Sequence, residues 1–468
     1  MNSRADLNIF FVFILYKQKM SSMNLASSIS ELPDINQGLT NSKYVQVAPS
    51  RDVTGSNFPN GAQYYSFSVS GSTWWCPSKS YVRLRIKYTA ADGTTQLTAA
   101  SNIAPNEMMC GNLFDSCEFR VGGQTIGRVG ENVAQVSAFK YRMSKSKGWL
   151  DTIGEQSDFC SADVLKRRSE IVSDGAAALL QDVDVKEGIR ESELLRQAAY
   201  LDAVWQPPLN IFDVKGCLPA GQFTLVLNPA NVSRYQLNAI LSDGEKTTAD
   251  FKFEITDCYF YVATIDGEQV SNKSYALDLH NVECQVQKIE GNGLTQRYFN
   301  VSPSTVKLGV AYQDTRINSS TQASASLFTV SDAPVAYGEG ILQNDLTRMY
   351  ISYANMQKPQ PDANPEYNEA TGVDRLGERY HETLLESGLW WNPAGAESYD
   401  DFLKRGLLML FSFPKSGDDS STRVQVNQAF KGTTSITNMN VLLFAVSRTA
   451  AQITVSNGEI ASVELKER

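Results

Sequence analysis

Histidine is scarce: only His280 and His381 occur in 468 residues. A Ser/His/Asp triad, a histidine-rich metal site or a histidine acid–base pair would have to draw on these two. The seven cysteines, Cys76, Cys110, Cys117, Cys160, Cys217, Cys258 and Cys284, contain no CxxC spacing. That excludes a zinc ribbon and a thioredoxin-like motif. Their number is odd, and several sit in apolar runs, as Cys258 does in CYFYVATI, where a free thiol behaves as a small hydrophobe. Free thiols in a reducing compartment are the expectation. Positive charge is in deficit, 42 Lys and Arg against 51 Asp and Glu, a net of −9. A chain this acidic is a poor general partner for nucleic acid, where affinity comes largely from neutralising phosphates. The apolar run at residues 9–16 (IFFVFILY) falls well short of the roughly 20 residues a membrane-spanning helix needs.

What is present is an ordinary globular balance, 42% hydrophobic and 20% charged, in a chain long enough for two or three domains. Arg4 and Asp6 precede the N-terminal run, and Met20 and Met23 follow it. Translation is expected to start at Met20 or Met23, a short membrane-touching segment or a poor signal peptide being the other readings. Residues 20–60 are rich in Ser, Asn, Gln and Pro and read as an extended arm. Lys43 and Arg51 against Glu31, Asp34 and Asp52 leave that arm slightly acidic, unlike a nucleic-acid tail. Sequons at Asn231, Asn272, Asn300 and Asn318 carry little meaning without a secretory route.

From Tyr64 onward the dominant pattern has period two. Tyr65, Phe67 and Val69 alternate with serines, and Val82, Leu84 and Ile86 with Arg83, Arg85 and Lys87. Such alternation predicts half-buried antiparallel strands. Further strands are expected at 117–121, 223–227, 251–265, 305–312, 349–353, 407–413, 423–427 and 440–446, with Gly, Asn, Asp and Pro clusters between them. Helical signals interrupt the pattern at 131–200 and at 372–388. The halves also match in order: an apolar strand ending in Pro (223–229, 408–414), then RYQLN and RVQVN, then Ile255-Thr-Asp and Ile436-Thr-Asn. Upstream, CEFRV and MYISY each precede a helical stretch closed by tryptophan. Two copies of one β domain, joined near residue 270, are expected.

Motifs that could carry chemistry are weak. His381-Glu382 invites a zinc-helix reading, but Leu385 stands where the second histidine should be. Glu382 and Glu386 share a helical face and read as solvated rather than as a glycosidase pair. Gly122 to Gly130 lacks GK[ST] and reads as a hairpin turn at Gly122-Gly123. Asp182 and Asp184 lack the further oxygens of a calcium loop. Lys140, Arg142, Lys145 and Lys147 form a basic patch with Tyr141 and Trp149 interleaved, and Lys166, Arg167 and Arg168 follow. The patch reads as a partly buried helix end facing acidic surface or a neighbouring subunit, rather than as a single-strand binder. Trp74-Trp75 reads as an interface anchor or sandwich cap, with sugar stacking as the competing use.

This organisation resembles the double jelly-roll major capsid proteins of eukaryotic double-stranded DNA viruses, including Polinton-like viruses, virophages and their larger relatives. STWWCPSKSYVRLRIKYT and NLFDSCEFRVGGQTIGRV are similar to that family's opening strands, and FAVSRTAAQITVSNGEI to its last strand and tail. The resemblance covers about residues 60–468. It implies a mainly β protein of two tandem eight-stranded antiparallel jelly rolls with helical insertions in inter-strand loops. The expected layout is an arm over 1–59, a first roll over 60–270 with its insertion near 131–200, and a second over 271–468 with its insertion near 355–400.

The resemblance further implies a structural virion protein with no catalytic residue, cofactor or metal. Three copies would form a pseudo-hexagonal capsomer of an icosahedral shell, assembled in the host cytoplasm or nucleus. Partners would be other copies, penton and minor capsid proteins, and membrane or genome touched by the arm, without sequence-specific nucleic-acid binding. Trp74, Trp75, Lys140, Arg142, Lys145, Lys147, Trp149, Trp390 and Trp391 are the candidate interface residues. Competing readings are a single jelly-roll capsid protein with a projecting domain, a carbohydrate-binding β-sandwich or adhesin, and a β-sandwich glycoside hydrolase.

Overall fold

The computed structural model describes residues 40–50, 65–69, 73–90, 92–96, 103–105, 108–149, 200–214, 216–230, 236–238, 251–266, 273–314, 346–359, 367–368, 373–387, 398–404, 407–414, 420–431, 439–457 and 459–467, with the short pieces 29–30, 153–154 and 328. The N-terminal run, Cys160, Lys166 to Arg168, Asp182, Asp184, Trp390 and Trp391 lie outside them.

The first roll runs through β1 (Thr40–Val47), β2 (Tyr65–Val69), β3 (Tyr81–Ala90), β4 (Phe114–Val121), β5 (Gln124–Val129), β6 (Leu201–Trp205), β7 (Phe223–Pro229) and β8 (Phe251–Asp266). These strands pair antiparallel in two sheets, ordered β1-β8-β3-β6 and β2-β7-β4-β5. The second roll runs through β9 (Lys273–Lys288), β10 (Thr295–Asn300), β11 (Thr305–Asp314), β12 (Leu346–Tyr353), β13 (Met356–Lys358), β14 (Met409–Ser412), β15 (Arg423–Phe430) and β16 (Met439–Ser456). Its sheets are ordered β9-β16-β11-β14 and β10-β15-β12-β13. Adding eight to each label of the first roll reproduces the second, so the chain is two tandem jelly rolls. A closing strand, β17 (Glu459–Glu467), extends the second roll along β16. Ile29–Ser30 pairs with β9, and Trp74–Trp75 with β8.

This topology corrects three sequence expectations. Strand β1 lies within the stretch read as a free arm, where it pairs residues 40–47 with β8. The match of 223–229 to 408–414 joins β7 to β14, whose topological counterparts are β15 and β6. An apolar run ending in Pro occurs at two topologically different strands, so it does not identify which strand it is. Residues Gln236–Asn238, matched to β15 by the RYQLN motif, pair instead with Ile103–Pro105 outside the roll sheets.

Alternation places Val82, Leu84 and Ile86 inside the first roll, all fully buried. Gly122 and Gly123 close the β4–β5 hairpin at φ +56° and +85°, with open space around both, as a two-residue primed turn requires. The equivalent β12–β13 turn uses Ala354 and Asn355 at φ 51° and 60°.

In the β5–β6 connection lies α1 (Val133–Ser144), and in the β13–β14 connection α2 (Leu376–Ser387). Eleven of the twelve residues of α1 are buried, because the second roll covers the side that would face solvent. Phe139 stacks on Phe444 of β16 with centroids 4.5 Å apart. Gly309 of β11 makes room, since a Cβ there would meet the Phe139 ring at 2.9 Å. Asn132, just before α1, donates from Nδ2 to the Cys284 carbonyl of β9 at 3.2 Å. The centre of strand β16 is therefore apolar on both faces. Val441, Leu443 and Ala445 enter the second roll's interior with Val310 and Tyr312, while Leu442, Phe444 and Val446 join the first roll's cluster.

Free thiols are corrected for one pair: Cys76 and Cys217 form a disulfide, with Cα atoms 4.4 Å apart at a sequence separation of 141. The cause is register. Trp75 and Leu218 exchange both backbone hydrogen bonds, at 2.9 and 2.7 Å, which sets the next residues directly opposite at the close spacing of an antiparallel non-bonded pair. Cys117, Cys258 and Cys284 are free and buried, and Cys110 is buried.

Two predictions follow from this packing. Replacing Phe139 with Ala should cost about 3–5 kcal/mol, and Gly309→Ala about 1–3 kcal/mol by overpacking the same contact; chemical denaturation measures both. Reducing the Cys76–Cys217 bond should lower unfolding stability by about 2–5 kcal/mol, the usual range for a native bridge. Melting with and without reductant, set against Cys76→Ser, measures that loss.

Candidate assembly surfaces

The structure separates the residues singled out from sequence. Trp75 is interior: its ring stacks on Phe119 at 5.1 Å and lies 4.8 Å from Phe223. Its Nε1 donates to Ser80 Oγ at 2.8 Å, which in turn accepts from the Ala263 backbone at 3.0 Å. No ring face remains for a sugar or a partner, so Trp75 is corrected from interface to core. Trp74 is 6% exposed and packs with Cys76, Cys217 and Ala263 in a small separate cluster.

The basic patch divides in the same way. Lys140 is buried, and its Nζ contacts Asp213 Oδ2 at 2.6 Å and the Leu209 carbonyl at 3.3 Å. Arg142 is fully buried with its guanidinium 5.0 Å from the Phe328 ring centroid. Neither is available to a neighbouring subunit, because α1 is enclosed between the rolls. Lys145 is half-buried, 5.2 Å over Trp149, which packs on Tyr141 at 4.7 Å; Lys147 is exposed. The patch is thus one exposed lysine beside an internal strut.

The acidic helix face is less solvated than its spacing suggests. Glu382 pairs with Arg379 at 2.7 Å. Burial raises its pKa, with Arg379 opposing. Glu386 accepts from Ser412 Oγ, and its backbone carbonyl accepts from Lys307 Nζ at 2.6 Å. These contacts, with Thr383 Oγ1 accepting from the Leu410 amide at 3.1 Å, fasten α2 across β14. Among the described residues no cluster of three or more metal-ligating side chains occurs.

Sequence reasoning missed the outer face of the sheet β1-β8-β3-β6. Tyr44, Tyr81 and Tyr261 form a ladder across three strands, with centroids 5.7 Å and then 5.2 Å apart. Tyr44 is 55% exposed. Beside the ladder, Arg85 binds Asp202 at 3.0 Å and Asp257 at 3.3 Å, and Arg83 reaches Asp202 at 3.4 Å. Hydrogen bonding to Arg85 holds the Asp202 pKa below the ordinary carboxylate value. The signal lay in the period-two alternation, which predicted the outward arginines of β3. It could not align Tyr81 with Tyr261, since that pairing depends on register across 180 residues.

No family model matches the chain, and no curated protein matches it. Solved structures do. The Sputnik virophage structure determined by cryo-EM aligns over 94% of this chain and 91% of its own, at 11% identity and a TM-score of 0.57. A quasi-atomic model of the PBCV-1 virus capsid aligns over 93% and 100%, at 9% identity and a TM-score of 0.52. The mavirus major capsid protein aligns over 94% and 92%, at 12% identity and 0.48. At these identities the likeness is one of fold.

His280 on β9 adjoins Asn281, whose Oδ1 accepts from Asn210 of the first roll. Burial lowers the His280 pKa below 6.5, with Asp278 opposing. The folded chain thus resists a proton that the unfolded chain takes up below pH 6.5, and stability conferred by neutral His280 is lost as pH falls through the folded value. Wild type should lose melting temperature faster than His280→Gln as pH is lowered from 7 through 6.5 to below the folded value. Parallel thermal melts at each pH check this.

Proposed function

We propose that this chain is a structural virion protein, the major capsid protein of an icosahedral virus, whose work is assembly rather than catalysis. The observation that carries the reading is the repeat of one strand order in two rolls joined through helix α1 and the centre of β16. One chain then presents two lobes of like build in a fixed relation. Three such chains arranged head to tail make six lobes with a hexagonal outline, the shape that tiles a closed shell. The fold shared with the Sputnik and PBCV-1 capsid structures supports this reading, as does an acidic balance that leaves genome neutralisation to a separate basic protein.

On this reading the chain divides between Asp266 and Lys273, with each roll carrying its helical insertion between its fifth and sixth strands. The residues ahead of β1 run along the inner side of the shell toward membrane or genome, and penton and minor capsid proteins contact the assembled capsomers. The protein is a virion component, assembled in the cytoplasm or nucleus of its host. Negative-stain electron microscopy and mass photometry of the purified full chain test the proposal. Particles of about 155 kDa, three times the 51.7 kDa chain, with a hexagonal outline are expected. A chain that remains a monomer at tens of micromolar would overturn it.

A further inference from the structure

The two rolls treat the same sheet face differently. In the second roll the outer face of β9-β16-β11-β14 is apolar and covered within the chain by α1, with Phe139 seated on Phe444 and Gly309. Helix α1 also binds beside the sixth strand of its own roll, Tyr141 Oη donating to the Gln206 carbonyl at 3.2 Å. It is a strut with one side on its own roll and the other side on the next. Helix α2 has the first half of that arrangement. It is fastened to the sixth strand of the second roll through Thr383 and Glu386, with Leu376, Arg379, Thr383 and Ser387 buried. Its far side, carrying Glu378, His381 and Leu385, is exposed, and Leu385 is 44% exposed. In the first roll the outer face of β1-β8-β3-β6 likewise meets no covering helix among the described residues.

We infer that the Tyr44–Tyr81–Tyr261 face of the first roll is the docking surface for a second copy of this chain, which places the exposed side of α2 upon it. The inference rests on the capsomer reading above and names the surfaces that close it. The relation of α1 to the second roll, already made inside the chain, is repeated by α2 on the first roll of the next copy. Composition fits an interface between chains that fold separately. Tyrosine and arginine are the residues enriched at such contacts, and they tolerate water before the partner arrives. A contact between two different patches runs head to tail, so it closes into a ring rather than a two-fold dimer.

Mass photometry over a dilution series of the full chain tests this. Two variants alter exposed side chains 300 residues apart: Tyr81→Glu with Arg85→Glu on the sheet, and Leu385→Glu on the helix. Arg120→Glu, on the outer face of β4, serves as the control. Circular dichroism and melting certify that each variant is folded. Either interface variant should raise the trimer-dissociation midpoint about 100-fold, equivalent to the loss of one hot-spot contact, while the control should not shift it. If wild type is a trimer and neither variant moves the midpoint, the assignment of these surfaces is wrong and the capsomer reading stands. A shift in one variant alone overturns the pairing of the two surfaces. If wild type is monomeric throughout, the capsomer reading itself fails.

Discussion

The two rolls are held by one strand, β16, whose central stretch is buried on both sides. In β16 the six residues from Val441 to Val446 are all buried, odd positions in the second roll's interior and even positions against the first roll. A strand covered on both faces must be apolar throughout, as parallel-sheet cores are, rather than alternating. The consequence is mechanical: neither roll can be moved without exposing the other's core. Gly309 makes the contact close, because only a residue without a side chain lets the Phe139 ring lie on the sheet.

The polar groups in this contact are matched to it. Lys140 and Asp213 meet at 2.6 Å within the first roll, where the pair fastens α1 to the connection between β6 and β7. Asn132, Asn210 and Asn281 tie α1 and the first roll's loops to β9 through backbone and side-chain hydrogen bonds. Together they select one relative orientation from the many that apolar burial alone would permit. In the proposed capsomer, a fixed angle between the two lobes would keep error from accumulating around the ring.

Much of this was legible beforehand. The strands of β3, β4, β7, β8, β11, β12, β14, β15 and β16 follow from alternation or dense apolar runs, and α1 and α2 from breaks in that pattern. Strand β9 did not. Its apolar residues fall on odd positions at Tyr275, Leu277 and Leu279 and on even ones at Val282 and Cys284, while its pairing with β16 continues without a shift. The apolar positions change parity partway along the strand although both sets join one hydrophobic cluster, so no single period describes it. Strand β1 was hidden for another reason: TNSKYVQV is a polar edge strand that draws its place from β8.

The sequence alone determined the mainly β class, the hairpin at Gly122-Gly123 and the interruption of the strand pattern by helix at two places. These depend on local periodicity and on backbone preferences within a few residues. Tertiary structure decided which strands correspond between rolls, that Cys76 finds Cys217, that Trp75, Lys140 and Arg142 turn inward, and that tyrosines from three strands align on an open face. Each of those outcomes is a register between residues 40 to more than 200 positions apart. A local pattern carries no record of register, because shifting a strand by two residues leaves its alternation unchanged while replacing every neighbour it meets.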